Sequence, residues 1–335
     1  MADTEGGAGS PGRRPRGRRG TRDDISAQLK SRRADIERQV RAKRAQLDEA
    51  NSRIEAKAGR NLVLATLIGL GLGLGMLFSL IVVKELFVLF TAVIVAFTVF
   101  ELVHAFRQAG RAVDVWPAII GSVAIVASGY FLDPAARWAV LVGVIVFLLV
   151  WRLVAQMAHP AQRRKLDVVR DLAAAVFVQV YVPVLASFAI VLLRQPEGQW
   201  WTLAFLIIVI AVDIGAYASG LNFGKHPMAP LISPKKTWEG FAGAAAAAVI
   251  AGVLLSLFML HSTWWVGVIL GLALLGTATM GDLTESLIKR DLGIKDMSSW
   301  LPGHGGFLDR LDSMLPSAPV ALGLFLLFSG APIAG

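Results

Sequence analysis

The sequence contains no cysteine in its 335 residues, which excludes disulfides, thiolate nucleophiles and cysteine-ligated metals. Charged residues are also scarce: they make up only 17%, whereas the hydrophobic set reaches 55% and the mean hydropathy is +0.61. A soluble domain could not keep so much apolar sequence away from water. No apolar run precedes Leu62, so a cleavable signal peptide is not expected. These properties predict an integral membrane protein.

The first 60 residues are polar and divide into two parts. Residues 1–22 are rich in Gly, Pro and Arg and have too few apolar side chains to form a core, so we predict a disordered basic tail. Residues 23–58 contain no Gly or Pro and carry a thin apolar stripe formed by Ile36, Val40, Leu47 and Ile54. We therefore expect a polar cytoplasmic helix over residues 23–60, solvated or lying on the membrane surface. A self-associating coiled coil is the alternative.

From Leu62 onward the sequence contains nine apolar runs, each near the length of about 20 residues that crosses a hydrocarbon core. We predict an all-α polytopic membrane protein with about nine transmembrane helices, about five of them in residues 61–199 and the others in residues 200–335. The predicted spans are residues 62–83, 86–106, 115–132, 136–157, 170–193, 200–218, 240–260, 264–281 and 315–333.

The charges of the connections predict how the chain is oriented. Connections on the same side as the N-terminal tail carry 13 Lys and Arg residues, against 3 on the opposite side. Lys and Arg concentrate on the cytoplasmic side of membranes. We therefore expect the N-terminus and the more basic connections to be cytoplasmic, and the C-terminus to lie outside.

Two connections on the predicted cytoplasmic side, residues 219–239 and 281–314, hold most of the acids, bases and Gly-Pro turns that follow the tail. Asp213 lies within the sixth predicted span, and Asp282 lies at the end of the eighth. Acidic groups at membrane depth are costly and are usually functional. Either acid alone could be a helix cap or part of a buried ion pair. Two acids on the same side, next to two basic connections, favour a functional site in the region of residues 200–335.

The acids of this region are the kind of hard oxygen ligand that Mg²⁺ takes beside a substrate phosphate. They are Asp282, Asp309 and Asp312. Asp309 and Asp312 are three residues apart, so on one helical turn both carboxylates point the same way. The segment therefore has the donors for a divalent cation.

Basic residues and a Gly-rich turn supply groups that bind phosphate. Together with the acids they are the groups used in phosphoryl or nucleotidyl transfer. The alternative for any single basic residue is a contact with anionic lipid headgroups or a role in topology. The candidates are Lys289, Arg290, Lys295 and Arg310, the turn His304-Gly305-Gly306, and Ser233, Lys235 and Lys236 before an apolar helix that begins near Trp238.

Residues 286–312 resemble the signature of the phosphatidate cytidylyltransferases, also called CDP-diacylglycerol synthases. They read Ser-Leu-Ile-Lys-Arg, four residues, then Lys-Asp-Met-Ser-Ser-Trp-Leu-Pro-Gly-His-Gly-Gly-Phe-Leu-Asp-Arg-Leu-Asp. Four upstream segments are similar to the family as well: residues 213–217, 223–225, 233–240 and 281–286. The resemblance covers about residues 200–315, and nothing of the family's function is carried onto the tail.

The resemblance implies transfer of the cytidylyl group of CTP to phosphatidic acid at the cytoplasmic face of the cell membrane, in phospholipid biosynthesis. It implies Mg²⁺, alone or with a second cation, and no nucleic acid; a homodimer is one option for assembly. Asp282 and Asp309 are the first choices for metal ligands, followed by Asp213 and Asp312. Lys289 and Arg290, with Lys235 and Lys236, would hold the triphosphate or the lipid headgroup. His304 is either a phosphate contact or a turn residue.

Two other functions remain open from the sequence. A secondary transporter would also have about nine spans and intramembrane acids, but we expect repeated halves with polar breaks near the midplane, and the sequence shows neither. A CTP-dependent lipid kinase would use the same groups and would differ in which phosphorus is transferred. The Asp-Gly-x-x-Ala-Arg opening of the CDP-alcohol phosphotransferases is absent.

Overall fold

The structure is a computed structural model that describes residues 62–158, 165–294, 297–298 and 305–330. The predicted tail (1–22) and polar helix (23–60) lie outside the described residues, and so do Lys295 and His304. The residues of the candidate site that are described all belong to one compact unit, residues 64–335.

Helices make up nearly all of the described chain, which confirms the all-α prediction. In this part of the chain, seven helical segments are long and apolar enough to cross a membrane, and two shorter apolar helices accompany them. The first five predicted spans correspond to α1 Leu62–Val82, α2 Lys84–Gln108, α3 Val115–Phe131, α4 Pro134–Ala158, and the pair α5 Lys165–Gln179 and α6 Leu185–Arg194. The last four correspond to α7 Gly198–Phe223, α8 Trp238–Phe258, α9 Trp264–Asp291, and the pair α10 Leu308–Leu311 and α11 Met314–Phe328.

A π-helical turn, Val180–Val184, joins α5 to α6 without interrupting the span. It contains Pro183, which has no N–H to donate and whose ring collides with the carbonyl four residues earlier in a regular α-helix. A π-helical turn accommodates such a residue while the helix continues on both sides. The segment Leu166–Arg194 therefore remains one continuous membrane-crossing helix.

Large apolar side chains are exposed on the outer faces of the helices. Leu74, Val154 and Ile250 are 57%, 58% and 61% exposed, and many others are similar. An aqueous surface with so many exposed apolar side chains would promote association. Lipid chains are as apolar as these side chains and can cover them. The exposed apolar surface therefore agrees with the lengths of the helices, which are sufficient to cross a membrane.

Helices α7 and α9 extend well beyond the apolar runs that predicted them. We expected connections at 219–239 and 281–314, but α7 continues to Phe223 and α9 continues to Asp291. Hydropathy detects where a helix leaves the apolar layer, whereas backbone hydrogen bonds and pairs such as Glu285–Lys289, four residues apart, continue the helix into the polar region. Asp282, Lys289 and Arg290 therefore lie on a helix.

A short antiparallel hairpin follows α7, which the sequence did not predict. Its strands are β1 Pro227–Ala229 and β2 Ser233–Thr237, with Ala229 opposite Ser233 and Pro227 opposite Thr237. The hairpin ends directly at α8, whose first residue is Trp238 as expected. The Thr237 side chain caps this helix, accepting a hydrogen bond from the Gly240 amide at 3.1 Å.

Small residues allow α8 to pack closely against α9. A Cβ atom at Gly252 would overlap the carbonyl oxygen of Gly267, and one at Gly267 would overlap that of Gly252. Such glycine contacts let two transmembrane helices approach backbone to backbone. The same α8 also packs along α7. The three helices thereby bring Asp213, the hairpin and Asp282 to one end of the bundle.

Candidate active site

A cavity of about 380 Å³ opens among the ends of α7 and α9, the hairpin and the turn that precedes α11. Its polar lining contains eight of the residues predicted from the sequence. These are Asp213, Ser233, Lys235, Lys236, Asp282, Asp309, Arg310 and Asp312. The size is within the usual range for small-molecule sites.

Four carboxylates line this cavity: Asp309 on α10, and three others from three different elements. Asp213 comes from α7, Asp282 from α9, and Asp312 from the turn between α10 and α11. Ser313 links two of them, because its hydroxyl lies 3.4 Å from Oδ1 of Asp213 and its amide donates to Oδ1 of Asp312 at 2.7 Å. Asp282 is close enough to interact electrostatically with both. Ionised acids so close together repel one another, so nearby cations would stabilise the cluster in its ionised form.

Two lysines of the hairpin supply positive charge next to these acids. Lys236 Nζ lies 2.5 Å from Oδ2 of Asp282, and its side chain is largely covered, with 22% exposed. Lys235 also lines the cavity but is exposed. The predicted basic segment before α8 therefore faces the predicted acids directly.

A second ionic group lies beside the cavity, on the last turns of α9. Lys289 Nζ is 2.5 Å from Oε2 of Glu285 and 3.0 Å from Oδ1 of Asp309. Glu285 is buried, with 1% of its side chain exposed, and Lys289 is 17% exposed. Lys289 thus fixes Asp309 against α9, and it does not itself line the cavity among the described residues.

The Gly305-Gly306 turn contacts Asp309. The Gly306 amide donates to Oδ2 of Asp309 at 2.8 Å, and Gly305 has a φ of +82°, a conformation that favours glycine. From the sequence we expected the backbone amides of this turn to face an anion. In the structure the Gly306 amide serves to orient a carboxylate instead.

Two arginines of the predicted set are placed differently from each other. Arg310 lines the cavity. Arg290 is exposed at the end of α9, where its Nε lies 3.4 Å from the carbonyl oxygen of Ile232 in the hairpin. Arg290 therefore connects α9 to the hairpin and is not part of the lining of the described cavity.

Comparison with known proteins decides the family. The model of the cytidylyltransferase family matches residues 63–328, nearly the whole chain after the tail. The chain belongs to the cytidylyltransferase family. A phosphatidate cytidylyltransferase of Mycobacterium bovis is 40% identical over 274 residues, which is 79% of this chain and 89% of that protein. Another of Mycobacterium leprae is 39% identical over 276 residues, covering 79% and 88%. A third, of Pseudomonas aeruginosa, is 44% identical over 138 residues, covering 39% and 49%.

The match to the family overturns the transporter alternative and confirms the resemblance seen in residues 286–312. It spans the N-terminal helices too, which sequence inspection had related to the family only by their hydropathy. The cavity lies inside the matched region, so its lining residues belong to a cytidylyltransferase fold.

The carboxylates fit a divalent cation in their chemistry. Mg²⁺ usually keeps several waters and takes one or two carboxylates with substrate phosphates, and Asp213, Asp282 and Asp312 open onto one cavity. Among the described residues, however, no three acidic or histidine side chains are close enough together to form a metal site. Of our predicted ligands, Asp282 is paired with Lys236 and Asp309 with Lys289. Asp312 therefore has a better placement than Asp309 for joining Asp213 and Asp282.

Three site residues were not singled out from the sequence. They are Glu285, Thr237 and Ser313, which respectively pair with Lys289, cap α8 and bridge two acids. The spacing of Glu285 and Lys289 could have suggested their pair, since residues four apart are neighbours on a helix. Thr237 immediately before an apolar run is an ordinary capping signal. Nothing in the sequence indicates the contact between Ser313 and Asp213, which are 100 residues apart.

Proposed function

We propose that this protein transfers the cytidylyl group of CTP to phosphatidic acid, giving CDP-diacylglycerol and pyrophosphate. The observation that carries the proposal is the cavity at one end of a membrane bundle, which is lined by four carboxylates, two lysines and an arginine. The curated relatives named phosphatidate cytidylyltransferase, two of them aligned over 79% of this chain, support the same substrates.

The reaction is a displacement at the α-phosphorus of CTP. A phosphate oxygen of phosphatidic acid forms the new bond to that phosphorus, the bond to the oxygen bridging the α- and β-phosphates breaks, and pyrophosphate leaves with the electron pair. A phosphate monoester is largely ionised near pH 7, because its second pKa is about 6. The attacking oxygen therefore needs no strong general base, and rate depends on alignment and on neutralising charge.

The residues of the cavity suit these two tasks. Lys235, Lys236 and Arg310 would bind the phosphates of CTP or of the lipid and offset their repulsion. Bound Mg²⁺ would neutralise charge on the reacting phosphates, with one or two carboxylates from among Asp213, Asp282 and Asp312 as its protein ligands. Substrate phosphates near Lys236 would compete with Asp282 for its ammonium group, which would free this carboxylate for a cation.

We further propose that the cavity faces the cytoplasm, where CTP is available. The charge bias of the connections supports this orientation. At the other end of the bundle, Tyr130 donates to Glu85 at 2.9 Å and Arg194 donates to the Leu132 carbonyl at 2.5 Å, so the less basic connections lie together. Location in the cell membrane and assembly as a homodimer remain predictions.

The direct test is product formation by the purified full-length chain. With CTP, phosphatidic acid and Mg²⁺ in detergent, we expect CDP-diacylglycerol detected by mass spectrometry. Replacing phosphatidic acid by diacylglycerol should abolish the product, because diacylglycerol has no phosphate to attack. Phosphorylation of diacylglycerol by CTP would instead identify a lipid kinase and contradict the proposal.

A further inference from the structure

The predicted site lies in the second half of the chain, but one buried acid of the first half reaches its edge. Glu101 is on α2, in the last two turns of that helix, and only 2% of it is exposed. A carboxylate so deeply buried is destabilising unless hydrogen bonds satisfy it. The hydrogen-bond partners of Glu101 therefore indicate its structural role.

Both partners of Glu101 belong to the family signature segment. The Ser298 hydroxyl donates to Oε1 of Glu101, and the Leu308 amide donates to Oε2 at 3.1 Å. The two carboxylate oxygens thus bring Ser298 and Leu308 to the same side chain of α2. The second contact also satisfies an amide at the start of α10, immediately before Asp309.

Two further contacts join α2 to the same segment. The Phe97 ring, one helical turn before Glu101, stacks on the ring of Phe307 with centroids 5.1 Å apart and planes inclined by 10°. Gly306 lies so close that an added Cβ would be 2.9 Å from Oε2 of Glu101. The same Gly306 donates its amide to Asp309. A continuous series of contacts therefore runs from Glu101 through Gly306 and Leu308 to Asp309.

We propose that Glu101 is a positioning residue, which holds Ser298 and Leu308 and so places Asp309 and Arg310 at the cavity. It acts through these residues and does not itself touch substrate. Displacements of about 1 Å at reacting groups can lower the rate about 100-fold, so loss of this anchor should reduce turnover without removing the binding groups.

The informative substitution is Glu101→Ala, which removes both contacts, whereas Ser298→Ala removes only the first. Glu101→Gln is the conservative variant, because its Oε1 can accept from the Leu308 amide while its Nε2 donates to the Ser298 hydroxyl. The matched control is Asp171→Asn, which changes an equally buried acid of the N-terminal helices. Asp171 accepts from the Ala112 amide at 2.8 Å and pairs with Arg152 at 3.0 Å, away from the signature segment.

Two measurements on the full-length protein test the proposal. Amide hydrogen exchange should increase in peptides covering residues 305–313 in Glu101→Ala, and not in Glu101→Gln or Asp171→Asn. The kcat for CDP-diacylglycerol formation should fall about 10- to 100-fold in Glu101→Ala, with the KM for CTP changed less than about threefold. Asp171→Asn should lower the melting temperature and leave kcat of the folded protein unchanged.

The proposal is overturned if exchange at residues 305–313 stays at the wild-type level, or if kcat changes less than twofold. Should Glu101→Ala fail to fold, Ser298→Ala decides the matter by the same two criteria. The kinetic measurement rests on the proposed cytidylyl transfer, whereas the exchange measurement does not. A wild-type protein that forms no product would therefore count against the proposed function and leave the anchoring role to be judged by exchange.

Discussion

Lys236 Nζ and Asp282 Oδ2 lie 2.5 Å apart across the candidate active site, one at the end of the hairpin and the other on α9. Each group is one that a phosphate or a metal ion would bind in its own right. The pair therefore places an ammonium group that can bind phosphate next to a carboxylate that can bind a metal ion.

The first prediction concerns the cation of this pair. Lys236→Ala should lower kcat/KM about 10- to 100-fold, because a hydrogen bond to a charged group contributes about 1.5–3 kcal/mol. The matched control is Lys225→Ala, since Lys225 precedes the same hairpin but does not line the cavity. Steady-state kinetics on both variants makes the comparison. An equal loss in the two would mean that the basic segment acts only through its total charge.

The second prediction separates charge from shape at the acids. Asp282→Asn keeps the volume of the side chain and removes the charge that a divalent cation needs, so turnover should fall about 10²–10³-fold. The melting temperature should change little, because Lys236 is partly exposed and can be solvated. Asp312→Asn should behave alike, and the double variant should be little worse than either single one, since groups acting as a unit are not additive.

The control for these variants is Asp133→Asn. Asp133 accepts from the Ala136 amide at 3.0 Å at the start of α4, among the connections assigned to the other end of the bundle. It should leave Mg²⁺-dependent turnover unchanged. Unchanged turnover in Asp282→Asn, with a lower melting temperature, would contradict the assignment of Asp282 as a metal ligand.

The third prediction concerns the ionic group on α9. Lys289→Met leaves the carboxylates of Glu285 and Asp309 buried without their shared cation, and breaking a buried pair in this way costs about 3–5 kcal/mol of stability. Glu285→Gln should cost less, because Lys289 keeps Asp309. Thermal unfolding of both variants in one detergent measures the order. If the Lys289→Met variant were more stable than the Glu285→Gln variant, the two ion pairs of Lys289 would not be what stabilises this group.

The sequence predicted most of this arrangement because apolar length and charge type are local properties. Nine spans, the acids and the hairpin lysines could all be assigned without knowing which helices touch. What could not be assigned were contacts between distant segments. Asp309 binds Lys289 and Gly306 because of how α9 and the turn pack, although both Asp309 and Asp312 line the cavity as their spacing predicted.

Helix ends were also beyond the sequence argument. The charged residues of α9 led hydropathy to predict the end of the span near residue 281. The helix nevertheless continues to Asp291, because Glu285 and Lys289 stabilise one another on its surface. Glu101 was overlooked for a similar reason. In the sequence, a single acid near the end of an apolar run resembles a residue at the membrane interface. Its contact with Leu308 joins residues 207 positions apart, and no local pattern indicates it.

The fourth prediction concerns orientation, and the absence of native cysteine makes it simple to test. Single cysteines at Leu231, which is 93% exposed in the turn of the hairpin, and at exposed Thr263 before α9 should lie on opposite sides. A membrane-impermeant thiol reagent added to intact cells should label position 263 and spare 231. Permeabilised cells should show both. Labelling of 231 alone in intact cells would place the cavity away from cytoplasmic CTP.

The measurement that tests the central claim most directly follows two phosphorus atoms of CTP. Purified protein is given phosphatidic acid and CTP labelled at the α-phosphorus in one reaction and at the γ-phosphorus in another. Cytidylyl transfer predicts that α-label enters the lipid and that γ-label leaves as pyrophosphate. Transfer of γ-label to the lipid, with the α-label remaining in CDP, would contradict the account and identify a kinase.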